Sequence, residues 1–306
     1  MHRLSRQQLV LLVLLTLVWG INWPVMKLGV SNYPPLTFRA ISMWLGLPLL
    51  AAALVVLKVP FSLPRRHWPQ LLVLTATNMV VWHACIILAV RTLSSGRAAI
   101  LGYTMPIFSA LLGALVFAAP LHRRAWLGVG AAALGVALLL WHELTNLAGR
   151  PGGVVLALVA AATWALGTQL LRHSTIDRPT LTISFWMTLL TTAVMSVLSV
   201  TFEREQWRAP DAAAWSAIWF NAILVFGFAQ AAWFSLARAL PPLASTLSVM
   251  FIPVLGVFAG SLWLKEALHW QDWAAVALMV GAIASVLWPS RAAPPRASVA
   301  ADAAGD

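Results

Sequence analysis

Apolar runs of about twenty residues recur along this chain between short polar or proline-containing breaks, and about twenty residues is what crosses the hydrocarbon core of a bilayer. On that ruler the pattern predicts helices near 8 to 26, 35 to 57, 68 to 90, 97 to 117, 124 to 142, 153 to 172, 180 to 201, 213 to 237, 243 to 263 and 272 to 288. The breaks carry turn and helix-end signals, among them Tyr33-Pro34-Pro35, Pro64-Arg65-Arg66-His67, Ser94-Ser95-Gly96, Arg150-Pro151-Gly152-Gly153, Arg178-Pro179 and Pro241-Pro242. From Pro289 the apolar period is lost, and the Ala, Pro, Ser and Asp content of 289-306 predicts a disordered C-terminal tail. The first run continues into Trp19-Gly20-Ile21-Asn22-Trp23-Pro24, so it is expected to be a retained span rather than a cleaved signal peptide.

The pattern also repeats itself. Trp19, Pro34, Leu36 and Thr37 recur 145 residues later as Trp164, Pro179, Leu181 and Thr182. Arg91, Leu93, Pro106, Gly113, Leu115, Leu121, His122 and Trp126 recur at a spacing of 147 as Arg238, Leu240, Pro253, Gly260, Leu262, Leu268, His269 and Trp273. Five crossings per half turn the second half upside down relative to the first. The expected fold is therefore an all-α integral membrane protein whose ten transmembrane helices form two inverted five-helix repeats, 8-142 and 153-288, an arrangement used by secondary transporters.

Composition strengthens this picture. Hydrophobic residues make up 61% and charged residues 9% of the chain, against roughly 25% charged in soluble domains. The net charge of +11 does not point to nucleic acid, because the cations fall singly or in pairs at the ends of apolar runs. Cys85 is the single cysteine, which excludes disulfides and cysteine metal clusters. With the N-terminus in the cytoplasm, twelve Lys and Arg fall inside and eight outside, Lys27 and Arg39 among the outer ones. Both termini are then cytoplasmic in an inner (plasma) membrane, and membrane lipid is the surrounding partner.

Strongly polar side chains within apolar spans are expensive, so each one needs a partner or a cavity. They are Asn22 in helix 1, Asn78 and His83 in helix 3, Tyr103 and Thr104 in helix 4, Thr168 and Gln169 in helix 6, Asn221 and Gln230 in helix 8, and Ser248 in helix 9. His83 and Gln230 are repeat mates, 147 residues apart. Thr75, Asn78 and Trp82 share a face of helix 3, as Trp164 and Thr168 do on helix 6. Of the 17 tryptophans most sit at helix ends, where interfacial belts want them, while Trp19, Trp23, Trp82, Trp164 and Trp233 lie deeper. The substrate-binding candidates are accordingly Trp19, Asn22, Asn78, Trp82, His83, Tyr103, Trp164, Thr168, Gln230 and Ser248, which would line a central cavity for a small, partly flat molecule. Each could equally bond only a neighbouring helix. Pro24, Pro106 and Pro253 each free a carbonyl and are candidate gate hinges or static bends.

No Asp or Glu falls in the middle of a span, which argues against a relay built on a buried carboxylate and leaves His83 as the one candidate proton carrier. Lys27 is expected to snorkel to the headgroups. No metal site and no cofactor is implied, and no Gly-x-x-x-x-Gly-Lys phosphate loop is present.

The helix 1 pattern Leu17-Val18-Trp19-Gly20-Ile21-Asn22-Trp23-Pro24, the start of helix 2 at Pro34-Pro35-Leu36-Thr37-Phe38-Arg39 and the passage Leu262-Trp263-Leu264-Lys265-Glu266-Ala267-Leu268 resemble the drug/metabolite transporter superfamily, in its ten-helix EamA-type branch. The resemblance covers roughly residues 8 to 288. It implies a cavity between helices 1, 3, 4, 6, 8 and 9 and export or facilitation of small metabolites, amino acids or aromatic compounds. Some members of the superfamily instead import vitamins or nucleosides. The acidic residue that such proteins carry after helix 4 is replaced here by Ala119, so Glu266 has no repeat mate. Alternating-access export is the leading expectation, and uptake of an aromatic vitamin such as riboflavin or of a nucleoside-like compound stays open. An intramembrane enzyme is the remote alternative, since the spans hold no nucleophile with a base. A monomer and a homodimer are both compatible with the sequence.

Overall fold

The structure is a computed structural model that describes residues 5–117, 123–145, 151–230, 232 and 242–287; side chains are not described at 140, 142–145, 242–250 and 286–287. The predicted tail, Trp233 and the ends of several connections lie outside these residues. Among the described residues the chain is helical without strands. The first half comprises α1 (Arg6–Ser31), α2 (Pro35–Val56), α3 (Arg65–Thr92), α4 (Ser95–Leu115) and α5 (Arg123–Thr145). The second comprises α6 (Pro151–Arg172), α7 (Thr180–Gln206), α8 (Ala212–Ala229), α9 (Pro242–Leu264) and α10 (Trp270–Leu287). Seven stretches, α1 to α4 and α6 to α8, are long and apolar enough to cross a membrane, and Phe251–Leu264 of α9 is a shorter apolar helix.

Local chemistry fixes the helix ends. Ser5 caps α1 in a capping box with Gln8, so two orphan amides are satisfied before the chain enters the apolar run. Ser94 and Asp211 accept from the amides of Arg97 and Ala214 to cap α4 and α8. Pro35 opens α2, where its missing N–H costs nothing. Lys58 closes the same helix with a positive φ of 54°, and Val59 N–H reaches back to the Leu54 carbonyl.

The two halves pack by a matched set of contacts. α1 lies on α9, and its counterpart α6 lies on α4; α3 lies on α6 as α8 lies on α1; α2 lies on α8 as α7 lies on α3. The pairs α2 with α7 and α5 with α10 map onto themselves when the halves are exchanged. Such a contact set is what a pseudo-two-fold arrangement of two repeats produces. The exterior is apolar, with Leu127 and Leu262 each 75% exposed, while Arg39, Asn22, Asn78 and Asn221 are buried. That is the reverse of a water-soluble bundle and suits a lipid surround.

Two helices depart from regular α geometry at equivalent places. α3 widens to a π-helix over Thr75–Val80 and α8 does so over Asn221–Ala229. Shifted by the repeat spacing of 147, residues 75–80 become 222–227, which falls inside the second wide turn. α4 is broken: α-helix runs Ser95–Gly102, Tyr103 and Thr104 form a turn, and helix resumes at Met105. Its counterpart α9 runs unbroken through Pro253, as α1 does through Pro24. The repeat-related prolines Pro106 and Pro253 thus occupy different local structures, one just after a break and one inside a continuous helix.

Candidate functional site

The predicted polar residues separate into two groups inside the bundle. The first forms where α3 of one half crosses α6 of the other. Gly167 lets the helices meet so closely that a Cβ built there would lie 2.6 Å from the Asn78 Cβ and 2.7 Å from its Cα. At this crossing Asn78 Nδ2 donates to the Trp164 carbonyl at 3.1 Å and to Thr168 Oγ1 at 3.3 Å. The Trp82 and Trp164 rings lie tilted with centroids 5.1 Å apart. A Cβ on Gly102 would meet Trp23 at 2.7 Å and Trp82 at 3.5 Å, so the broken part of α4 is seated between those two rings. Trp23 in turn meets Tyr103 edge-on at 6.2 Å. Trp23, Asn78, Trp82, Tyr103, Trp164 and Thr168 therefore form one continuous aromatic and amide cluster drawn from α1, α3, α4 and α6.

The second group lies on α1, α2, α3 and α8. Arg39, counted in the sequence among cations at the membrane surface, is instead buried at 2% exposure. Its Nη1 donates to Asn221 Oδ1 at 3.3 Å and its Nη2 to the thioether of Met26 at 2.9 Å, and its guanidinium lies 5.8 Å from the Phe226 ring centre. His83 approaches the same ring, at 5.7 Å, and neither of its ring nitrogens has a hydrogen-bond partner. Asn22, four residues before Met26 on one face of α1, is buried with Oδ1 unpaired. His83 thus turns away from its sequence neighbour Trp82 and joins a different group.

Of the remaining candidates, Trp19 is partly buried against the core. Gln230 is half-buried just after the wide turn of α8. The Ser248 side chain lies outside the described residues. Gln169 donates to the Ser109 carbonyl at 2.7 Å and to Ser109 Oγ at 3.1 Å, which ties α6 to α4.

At the rim far from the start of α1, acids of the second half seal helix ends of the first. Glu203 is buried and accepts from the Leu36 amide at 3.0 Å, the Thr37 amide at 2.7 Å and Thr37 Oγ1 at 2.8 Å. Glu266 accepts from Ser95 N at 2.7 Å and Ser95 Oγ at 2.8 Å, at the start of α4. Both place negative charge at a helix N-terminus, where the dipole favours it. Arg97 pairs with Asp272 at 2.7 Å on the same rim. Lys27, expected to snorkel, donates instead to the carbonyls of Val90, Arg91 and Leu93 at 3.0, 3.0 and 2.7 Å, closing the C-terminus of α3. Beside Glu203, burial and then the negative charge of Glu203 push the Tyr33 phenol above its ordinary value, against a smaller opposing pull from Arg208.

Sequence reasoning missed Arg39, Met26 and Phe226 as part of the interior and Glu203 and Glu266 as inter-half contacts. A signal for the first was present: Arg39 is the fifth residue of an apolar helix, about 6 Å below its start at 1.5 Å per residue.

Two repeats of apolar helices, meeting along a polar and aromatic interior, define a polytopic membrane transporter. The chain belongs to the EamA-like transporter family, whose sequence profile matches residues 7–141 and again 151–288. It is similar to the uncharacterized transporter YoaV of Bacillus subtilis, at 24% identity over 83% of this chain and 88% of that one. It is also similar to the uncharacterized inner membrane transporter YedA of Escherichia coli, at 27% identity over 89% and 88%. A probable amino-acid metabolite efflux pump of Escherichia coli is 30% identical over 61% of this chain and 62% of its own. A solved crystal structure at 21% identity superposes with a TM-score of 0.67, covering 92% of this chain and 98% of the other, so the fold is shared.

Proposed function

We propose that this transporter exports small amphipathic metabolites, amino acids or aromatic compounds among them, by alternating access between two inverted five-helix units spanning 8-142 and 153-288. The observation that carries this reading is the junction of Asn78, Trp82, Trp164 and Thr168, built from α3 of one half and α6 of the other. A site shared by two halves changes its exposure when the halves rock, which is what alternating access requires. In this reading ten spans cross the inner membrane, the start of α1 faces the cytoplasm in line with the Lys and Arg bias, and the rim sealed by Glu203 and Glu266 faces outward. Gln230 and Ser248 complete the site from α8 and α9, and the break at Tyr103-Thr104 beside Pro106 is the hinge of α4.

The partly matching relative, a probable amino-acid metabolite efflux pump, supports the outward direction. Uptake of a planar aromatic vitamin or nucleoside-like compound is the second reading. Its support is the run of rings in which Trp164 lies tilted against Trp82 at 5.1 Å and both Trp82 and Trp23 lie against Gly102.

Metabolite profiles of cells and spent medium test both. Cells with the intact protein should enrich one or more small metabolites in the medium, and Asn78→Ala, at equal membrane abundance, should abolish that enrichment. Enrichment inside the cells instead would reverse the direction. Equal profiles for intact protein and variant would remove the Asn78 junction from the transport site.

A further inference from the structure

We propose that Arg39, with His83 against the same Phe226 ring and Asn22 one turn before Met26 on α1, is the receptor for a carboxylate of the transported molecule, so that the substrates are monoanionic or zwitterionic carboxylates. This rests on the transporter reading and specifies its cargo. It adds α2 to the helices that contact substrate.

A guanidinium is always charged, and within a membrane bundle it is costly unless an anion or a set of oxygen acceptors compensates it. Arg39 has neither in full. It is 2% exposed, and among the described residues no carboxylate bonds or pairs with it. Its Nη1 has one oxygen acceptor, Asn221 Oδ1, at 3.3 Å. Its Nη2 has only the weakly accepting Met26 sulfur, and its Nε is buried without a partner. Nε and the neighbouring Nη2 form the side-on edge of the guanidinium, with two parallel N–H groups. That edge fits the two oxygens of a carboxylate, and here it carries no oxygen. Met26, unbranched and flexible, is the kind of side chain that can yield its position to a bound group.

The rest of the group suits the remainder of such a molecule. Of the eight buried side-chain polar atoms without partners among the described residues, three belong to the two residues against the Phe226 ring, Arg39 Nε and both ring nitrogens of His83, and a fourth, Asn22 Oδ1, lies one turn before Met26 on α1. Asn22 Oδ1 can accept from an ammonium or hydroxyl next to the carboxylate, and His83 can accept with one nitrogen and donate with the other. Unsatisfied groups gathered in one place, rather than scattered, mark a site whose missing partner comes from outside the chain. One permanent cation matches one negative charge, which selects a carboxylate over a phosphate dianion.

The test is exchange in vesicles reconstituted with the full-length protein and loaded with a mixture of amino acids, hydroxy acids and aromatic acids together with the uncharged amides of those acids. Intact protein should exchange some of the acids and none of the matched amides, and added free acids should inhibit while amides should not. Arg39→Lys, which keeps the charge but loses the fork, should lower carboxylate exchange by about 10- to 100-fold, the worth of a charge-assisted hydrogen bond pair, without lowering thermal stability. Arg39→Gln should do the same or more. If that variant fails to fold, the acid-against-amide comparison on intact protein and the lysine variant still decide. Exchange of amides as fast as acids, or undiminished acid exchange by Arg39→Lys, overturns the proposal while leaving transport intact. Exchange of neither class by intact protein counts against the carboxylate assignment and, separately, against transport of this class of metabolite.

Discussion

Removing the Glu203 carboxylate measures how firmly the second half holds the first at the distal rim. Glu203→Ala deprives the buried amides of Leu36 and Thr37 and the Thr37 hydroxyl of their acceptor. Each buried backbone donor left unsatisfied costs about 1–3 kcal/mol. Loss of the negative charge at the start of α2 adds up to about 1 kcal/mol. Trp207 Nε1 and Ser199 Oγ, which also bond Thr37 Oγ1 at 3.1 and 2.6 Å, hold the hydroxyl but do not reach the amides. The expected cost is therefore about 3 to 5 kcal/mol, and Glu203→Gln, which keeps one acceptor oxygen, should lose about half as much. At on the order of 2 °C per kcal/mol, Glu203→Ala should lower the midpoint of thermal unfolding by about 6 to 10 °C. Tryptophan fluorescence of the full-length protein in detergent, scanned at one fixed rate, reads the shift, and the exposed neighbour Glu205→Ala serves as the control, with a shift near zero. A shift for Glu203→Ala no larger than that of Glu205→Ala would refute the idea that this carboxylate caps α2 across the two halves.

Gly167→Ala should force α3 and α6 apart, because the added methyl meets Asn78 backbone atoms at 2.7 and 2.8 Å and cannot be relieved by a rotamer change. A loss of about 1–3 kcal/mol, read as a lower unfolding midpoint, is expected, whereas Gly152→Ala, with open space around it, should be silent. The Tyr33 phenol should ionise above the ordinary 10.0, and Glu203→Gln should move its midpoint down. Because the folded state holds this proton more tightly than the unfolded one, the contribution to stability is complete below pH 10.0 and is lost as pH rises through the folded value. Absorbance at 295 nm in a Tyr103→Phe background isolates the group, since the chain has two tyrosines.

The sequence showed the helices and the repeat because both depend on apolar period and spacing, which local composition sets. It also put Asn78 and Trp82 on one face of helix 3 and Trp164 and Thr168 on one face of helix 6, and the structure brings these residues together at the α3–α6 crossing. It did not show that Trp82 and His83, adjacent in the chain, serve different groups, because that depends on which helices stand on either side of α3. Arg39 and Lys27 were read as surface cations, since positive residues near helix ends commonly face headgroups. Their actual partners, Met26, Asn221 and the carbonyls at the end of α3, lie on other helices and are fixed only by packing. The wide turns of α3 and α8 were invisible to a fixed helical period, which assumes the regular α repeat throughout. Aligning the halves at a spacing of 147 does put them in register.

Those wide turns set the rotational phase of everything that follows them. A residue advances an α-helix by about 100° and a π-turn by less, so returning Thr75–Val80 to regular α geometry with all of its residues kept would swing Val81 to Thr92 about their axis by roughly 100°. Trp82 would leave Trp164 and His83 would leave Phe226 in a single step, with no side chain altered. The same change in Asn221–Ala229 would turn Gln230. The wide geometry of these two turns is therefore as specific as residue identity. A relative that lacks one residue within either turn and is regular α-helix there keeps the same faces turned inward.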